Sequence, residues 1–547
     1  MVDILKYVTE KLPNVETACF EASNIIVYTS DREFFLKGEE KIKEIVNEIK
    51  KRIELRASSK LLCDKQSAEA IIKRLTPKEA GLESIHFEDE RSIVVLSCKN
   101  PTPLVENNAE ILKKIKKEIF WKPEVKRIPM IRSRISEGIT NIIYKSSGYR
   151  KKFLNAVGKK IYRYWRSEEK TKWARISFLG GARHVGRSCL LLHTPQSKVL
   201  LDCGIDLAAS NDERFPVFNV PEFNLEEIDG IIVTHAHLDH SGLVPYLYKI
   251  GYRGPVYMTQ PTLDITALLA LDLIKVAYKQ ATKPLFSVSD IKKMIKHAIT
   301  LNYNEVSDIT CDLRLTFYRS GHALGAAMAH INIGNGMHNL LYTSDFKYAK
   351  TRLFDPAQTK FPRIETLIME STYGGQEDKK PSREESEAQL LQTITQTIER
   401  KGKVLIPVLG VGRSQDVMLI IKEAIENKVL PEIPVYIDGL VWDITAIHTA
   451  YPEFLGFNLR KSIYEGKNVF SSEIFKRVGS PTERKEVLEG GPCVIIATSG
   501  MLTGGASLEY FKELASEKNN TIIFTSYQSI GSLGRSVKDG AKEFKVE

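Results

Sequence analysis

Ile231-Ile232-Val233-Thr234-His235-Ala236-His237-Leu238-Asp239-His240-Ser241 places four metal-ligand side chains within six positions, directly after an apolar run. The run is short, β-branched and uninterrupted, which predicts a buried strand opening into a loop. His at i and i+2, then Asp and His at i+4 and i+5, does not fit one helix face, where neighbours stand three or four apart. A loop leaving a strand can fan the same groups toward two neighbouring cations. Imidazole and carboxylate donors suit zinc, and a zinc site with an open position makes water nucleophilic near neutral pH.

Strands are expected on both sides of this loop. Upstream lie Arg175-Ile176-Ser177-Phe178-Leu179, Cys189-Leu190-Leu191-Leu192 and Lys198-Val199-Leu200-Leu201-Asp202. Downstream, Thr262 to Gln280 reads as a helix, and Leu315-Thr316-Phe317-Tyr318 and Leu340-Leu341-Tyr342-Thr343 as strands. Two more ligand candidates follow strands at small-residue turns: His322 in Ser320-Gly321-His322-Ala323-Leu324-Gly325, and Asp345 in Thr343-Ser344-Asp345-Phe346. Beyond about residue 376 helices and strands alternate, with strands at Lys403–Pro407, Val435–Ile437, Pro492–Ala497 and Thr521–Thr525, as in a parallel α/β sheet. Residues 1 to about 57 read as a small mixed α/β unit, and a similar unit follows it.

The chain has 547 residues, 43% of them hydrophobic, enough for about three or four domains. No run approaches a membrane span, and the N-terminus lacks the layout of a secretion signal, so a cytoplasmic protein is expected. Seven scattered cysteines without a CxxC pair fit a reducing compartment and argue against a zinc ribbon. The net charge of +10 is concentrated: Lys122 to Arg175 holds sixteen Lys or Arg against four Glu, interleaved with Tyr144, Tyr149, Phe153, Tyr162, Tyr164, Trp165 and Trp173. Cations that neutralise phosphates beside rings that stack on bases point to single-stranded RNA, with Lys151, Lys152, Arg163 and Arg166 as candidate contacts. The competing reading is a solvated helical face whose rings pack inward.

The landmarks taken in order resemble the metallo-β-lactamase superfamily. Within it they resemble the KH-containing β-CASP branch, the archaeal homologues of the cleavage and polyadenylation specificity factor nuclease subunit. They are Leu201-Asp202-Cys203-Gly204, the histidine loop at 235–240, Gly321-His322-Ala323-Leu324-Gly325, Ser344-Asp345-Phe346, Glu370-Ser371-Thr372-Tyr373-Gly374-Gly375 and Val411-Gly412-Arg413-Ser414-Gln415. Ile447-His448-Thr449-Ala450-Tyr451-Pro452-Glu453, Ala497-Thr498-Ser499-Gly500-Met501 and Tyr527-Gln528 before Gly534-Arg535 continue the series. The resemblance implies an α/β chain: two KH-like α+β units at 1–57 and 58–174, the second with the basic segment. A metallo-β-lactamase αββα sandwich at 175–375 and an inserted β-CASP α/β domain at 376–547 would follow. It implies two Zn²⁺: His235, His237 and His322 on one, Asp239 and His240 on the other, and Asp345 bridging. Asp239, Asp202 and Glu370 would serve catalysis, the last two by orienting imidazoles or the attacking water. Ser499 and Gly500 would line the RNA cleft. His448 is read as a helix-borne packing residue, and His86, His184, His193, His297, His330 and His338 receive no ligand role.

Three departures qualify the expectation. His448 is the last histidine of the sequence, whereas the family pattern implies two more beyond the β-CASP insert, one to protonate the leaving oxygen and one to complete the second zinc site. The text ends while the family chain is still entering that segment. Because every upstream ligand is intact, a truncated chain or a split gene with a second polypeptide is expected over decay. The GxxG loop of KH units is also missing: the corresponding stretches read Phe35-Leu36-Lys37-Gly38-Glu39-Glu40 and Pro103-Leu104-Val105-Glu106-Asn107-Asn108-Ala109-Glu110. His184 stands where the family has a glutamate.

The expected function is a zinc-dependent ribonuclease, cutting internally with 5′→3′ trimming as a second mode, in RNA 3′-end processing and transcription termination. A non-catalytic RNA-binding subunit of a processing complex is the alternative, and family members imply a homodimer.

Overall fold

The computed structural model describes residues 3–165, 171–209, 211–378, 381–467, 469–470, 473–529 and 531–543. Asp3 caps α1 (Ile4–Lys11) by accepting from the Leu5 amide, and Ile4 and Val8, one turn apart, are its buried residues. A hairpin of β1 (Thr17–Glu21) and β2 (Asn24–Thr29), helices α2 (Arg32–Lys37) and α3 (Glu39–Ile49), and β3 (Ile53–Ala57) parallel to β2 complete the first unit. The order repeats in α4 (Lys65–Leu75), β4 (Leu82–Glu88), β5 (Ile93–Cys98), α5 (Thr102–Ile119) and β6 (Lys122–Arg127), again antiparallel then parallel. α5 is broken: its backbone leaves the helix at Glu106 and turns left-handed at Asn107, Asn108 and Ala109, with φ of 50°, 56° and 54°. That corner and the α2–α3 corner at Gly38 fall where a GxxG loop was sought.

The second unit closes at β6, and the basic stretch becomes two helices, α6 (Arg134–Lys145) and α7 (Ser147–Ile161), that pack into the junction. Most of its aromatic rings turn inward. Tyr144 stacks on His86 at 3.8 Å, Phe153 lies 4.5 Å from His297, Tyr162 packs on Phe20 and Trp165 on Tyr7. Arg150 donates to the carbonyls of Ile295, Lys296 and Ala298, so a cation read as a phosphate contact class is spent on backbone.

The third unit is a two-sheet sandwich. One sheet holds β7 (Arg175–Gly180), β8 (Cys189–His193), β9 (Lys198–Leu201), β10 (Gly230–Ile232), β11 (Val256–Met258) and β12 (Ala298–Thr300), in that spatial order. Helices α8 (Leu238–Ser241), α9 (Val244–Lys249), α10 (Gln260–Lys279) and α11 (Val288–His297) interleave with its later strands. The second sheet runs β13 (Val306–Asp308), β14 (Leu313–Arg319), β15 (Ala327–Ile333), β16 (His338–Tyr342) and β17 (Thr366–Ile368). Alternate residues of the two sheets interdigitate, Leu190, Leu192, Val199 and Leu201 against Leu315, Phe317, Ala329 and Ile331. The other face of the first sheet is covered by Leu243, Leu247, Leu263, Ile291 and Met294 from the helices.

The fourth unit bears out the alternation seen in the sequence. It comprises α12 (Arg383–Glu399), β18 (Val404–Pro407), α13 (Arg413–Glu426), β19 (Val435–Asp438), α14 (Val441–Ala450) and α15 (Phe457–Tyr464). β20 (Phe475–Val478), α16 (Pro481–Glu489), β21 (Val494–Ala497), α17 (Gly505–Leu514), β22 (Thr521–Ile522) and α18 (Leu533–Lys538) follow. The sheet order is β20-β19-β21-β18-β22, and every recorded pair is parallel. The strand expected at Thr521–Thr525 is shorter, ending at Ile522. One apolar cluster joins this unit to the sandwich: Ala236, Ile265, Ala323 and Leu324 with Val411, Ile444, Ile447 and Phe454. Among the described residues no helix is long and apolar enough to cross a membrane.

Candidate metal centre

β9, β10 and β16 end on the same rim of the sandwich, where β10 and β16 release the loops of the candidate ligands and β9 that of Asp202. The β10 loop carries His235 and His237 and runs into α8, whose first turn bears Asp239 and His240. The β14–β15 turn carries His322 between Gly321 and Gly325, both in the left-handed region with φ of 69° and 74°. At Gly325 a Cβ would lie 2.5 Å from the Thr259 hydroxyl, so the turn needs glycine to close against α10. Asp345 follows β16.

Three imidazole nitrogens converge. His235 Nε2 and His322 Nε2 each lie 3.1 Å from His237 Nδ1. Asp345 Oδ2 lies 3.5 Å from His322 Nε2 and 3.9 Å from His235 Nε2. One ligand atom from each of these four residues falls within 4.8 Å of the others, a donor set that fits a tetrahedrally held cation. A second set adjoins it: His240 Nε2 lies 3.7 Å from Asp239 Oδ2 and 3.5 Å from the other oxygen of Asp345. Asp345 thus faces both sets.

Electrostatics divides the sets as well. Burial, with His240, His237 and His322 nearby, holds His235 well below the usual imidazole range. Burial also lowers His237 and pushes His322 down to about 3, so these rings are neutral and offer lone pairs. At His240 burial acts in the same direction, but the carboxylates of Asp345, Asp239 and Asp202 outweigh it and hold the ring well above its ordinary value. Burial raises Asp345, and the imidazoles of His240, His235 and His322 hold it well below the carboxylate range. The corner around His240 therefore favours positive charge.

Asp202 fixes that corner. It follows β9 with φ of 59° and is fully buried. Oδ1 accepts from the Thr234 amide at 2.8 Å, and Oδ2 accepts from His240 Nδ1 at 2.7 Å and from the Tyr342 hydroxyl at 3.0 Å. With Nδ1 donating, His240 presents Nε2 to Asp239 and Asp345. Ser344 adds a hydroxyl contact to the Thr234 hydroxyl at 2.7 Å. Thr234, Tyr342 and Ser344 were not singled out from sequence, although all three adjoin quoted landmarks.

Over its whole length the chain is 45% identical to the transcription termination factor FttA of Methanothermobacter thermautotrophicus, covering 86% of that relative. The chain belongs to the FttA family. FttA of Thermococcus kodakarensis and of Pyrococcus abyssi are each 46% identical over 96% of this chain and 82% of theirs. Family models match at residues 1–62 (transcription termination factor FttA, KH domain), 191–372 (metallo-beta-lactamase superfamily domain) and 414–537 (Beta-Casp domain). The expected archaeal KH, metallo-β-lactamase and β-CASP combination is thus borne out, and the second match implies a metal. The FttA-type architecture also explains the shared apolar cluster, since the β-CASP unit is seated on the rim that bears the ligands.

The remaining site candidates fare differently. Glu370 Oε2 accepts from the Thr372 amide at 2.8 Å, closing its own turn. Ser499 and Gly500 lie in the β21–α17 loop, where the Ser499 amide is taken by the Gly504 carbonyl at 3.3 Å and the Gly500 carbonyl by Gln528 Nε2 at 2.9 Å. The Ser499 amide is therefore not free for a phosphate. The Arg163 guanidinium donates to the Gln196 carbonyl at 2.7 Å and lies against Cys311. Lys151 faces Glu90 at 3.4 Å, Lys152 is exposed, and Arg166 lies outside the described residues.

Proposed function

We propose that this FttA-family chain is a metal-dependent RNA phosphodiesterase acting in transcription termination, cutting internally and trimming 5′→3′. One observation carries the reading: three imidazoles and Asp345 converge on one point, with His240 between Asp345 and Asp239 beside them. His235, His237 and His322 would hold one zinc, Asp239 and His240 a second, with Asp345 between them. Bound there, the cations would supply Lewis acidity toward a phosphodiester and a water nucleophile. The chain's own contribution is preorganisation. Burial favours the neutral form of three rings, Asp202 accepts from His240 Nδ1 and leaves Nε2 toward Asp239 and Asp345, and glycine at 325 lets the His322 turn close on Thr259. Further ligands of the second cation would come from water or from another polypeptide segment. RNA as the substrate rests on the KH and β-CASP units and on the names of the relatives.

Elemental analysis combined with a cleavage assay on single-stranded RNA tests this. The full chain should retain zinc through desalting. His237→Ala and Asp345→Asn should lower the retained metal and abolish cleavage in parallel. RNA left intact by protein loaded with two equivalents of zinc, assayed also with the C-terminal part of a relative supplied in trans, would overturn the reading.

A further inference from the structure

The turn that carries His322 is held from two sides, and both holds lead to the β-CASP unit. Gly321 and Gly325 are both left-handed, so the turn is free to move unless something outside it fixes it. The Gly325 carbonyl accepts from the Thr259 hydroxyl at 2.8 Å and from the Thr262 hydroxyl at 3.2 Å, both at the start of α10. The next carbonyl, of Ala326, accepts from the Tyr303 hydroxyl at 2.8 Å and from the Ser320 amide at 3.2 Å. A carbonyl oxygen has two lone pairs, so both are filled at each position.

Each hold continues across the seam. Asp264 stands one turn after Gln260 in α10 and is buried. Its Oδ1 accepts from Gln260 Nε2 at 3.0 Å, and its Oδ2 accepts at 2.8 Å from the hydroxyl of Tyr451, the residue that follows α14. The Tyr303 ring meets Phe454, in the Pro452–Phe454 turn, edge to face with centroids 5.0 Å apart. Tyr451 and Phe454 thus stand on one corner of the β-CASP unit and reach the His322 turn by two routes, through α10 and through Tyr303. The β10 loop, by contrast, is fastened from within the sandwich: Asp202 takes the Thr234 amide, and Ser241 Oγ donates to the Ala236 carbonyl at 2.9 Å. A buried carboxyl is costly to desolvate, and sliding the seam would strip Asp264 of its phenol, so the pair favours one register of the two units.

We propose that Tyr451 and Phe454 are positioning residues for His322. The β-CASP corner, acting through Asp264 and Tyr303, sets the turn on which this imidazole meets His237 and Asp345. Both residues act through other side chains, on the backbone of the turn that follows the ligand. Such positioning rests on the phosphodiesterase reading above for its purpose and goes one step further: the metal affinity of the sandwich depends on how the β-CASP unit is seated. Coupling free energies are reciprocal, so filling the centre should in turn tighten the corner.

Hydrogen exchange of the full chain, metal-free and zinc-loaded, together with competition for zinc by a chelating dye, tests it. In metal-free protein, Tyr451→Phe and Phe454→Leu should each speed exchange of the Ala326 and Ala327 amides, which donate to the Ala323 and Thr234 carbonyls. Each should lower zinc affinity about tenfold, the low end of the range for groups that orient a ligand. Each should also shift the visible bands of cobalt-loaded protein, which report ligand geometry. Asp264→Asn keeps an acceptor for the phenol and should hold the parent's affinity, whereas Asp264→Leu should match Tyr451→Phe. Zinc should slow exchange at residues 444–454 in the parent and do so less in Tyr451→Phe. Folded Tyr451→Phe and Phe454→Leu proteins with the parent's exchange at Ala326 and Ala327 and the parent's zinc affinity would overturn the positioning. A parent that holds no zinc, with the turn still loosened by Tyr451→Phe, sinks the phosphodiesterase reading and leaves the hold on the turn standing. A parent that binds zinc and cleaves RNA, while both variants keep its affinity and its exchange, sinks the positioning alone.

Discussion

Asp202 shows how much a single side chain settles at this centre. Its two oxygens accept from the Thr234 amide, the Thr234 hydroxyl, His240 Nδ1 and Tyr342, so every lone-pair direction serves the ligand loop. Asn at this position keeps the volume but replaces one acceptor by a donor, which meets His240 Nδ1–H or the Tyr342 hydroxyl head on. The ring must then rotate or change tautomer, and Nε2 ceases to face Asp239 and Asp345. Asp202→Asn is expected to lower zinc affinity roughly 10–100-fold, read by competition with a chelating dye. Unchanged affinity would show that His240 is oriented by Ser344 and the backbone instead. At this scale the sequence is highly informative. The residue types and spacing around His235 pick out the side chains that the fold brings together, because metal chemistry tolerates few substitutes, whereas nothing in the text distinguishes Glu370, whose carboxylate accepts from its own turn, from Asp202, which accepts from His240.

Elements were harder to read where charge and burial compete. The basic stretch looked like an RNA track because sequence reports that a cation is present but not what it faces. The decisive residue is the one without a side chain: a Cβ on Gly158 of α7 would lie 2.1 Å from the Phe20 Cβ and 2.6 Å from the Ala22 carbonyl. α7 therefore lies directly on β1, with Leu154 accepting from the Ala22 amide and Asn155 from the Phe20 amide. Such contact leaves no room for a polynucleotide along that face. Gly158→Ala forces the helix outward and should cost about 1–3 kcal/mol, the usual range for overpacking a fitted core. Thermal unfolding, with hydrogen exchange along α7 and β1 as a second readout, checks it. A melting temperature equal to the parent's would mean that the helix sits looser on the strand than the geometry requires. The broken α5 was equally hidden: Asn107 and Asn108 tolerate the left-handed region, but Ala109 does not favour it, so only the tertiary arrangement reveals the corner.

At the scale of the whole molecule, the KH-like units are tied to one another and to the sandwich by buried and half-buried charge. Glu21 of the first unit holds Arg56 at 2.6 and 2.8 Å and Arg91 of the second unit at 2.9 Å through both oxygens. Lys51 pairs with Asp308 at 2.7 Å and Arg52 with Glu305 at 2.6 Å, fastening the first unit to the edge of the sandwich near β13. The domain order was legible from pattern, but these fastenings were not, since each joins residues far apart in the text. Burial raises the Glu21 carboxyl, and the guanidinium groups of Arg56 and Arg91 outweigh it, holding it well below the usual carboxylate range. The sign follows from linkage: a carboxyl whose folded value is depressed stabilises the fold above its unfolded value, about 4.3, and loses that contribution as pH falls further. Hydrogen exchange at β1, β3 and the Asp89–Arg91 turn should therefore hold steady from pH 7 to about 5 and weaken below about 4.3. Glu21→Gln removes the titrating group, so its protection should start lower and stay flat across the same window. An acid profile that is the same in both proteins would assign the loss to other carboxylates.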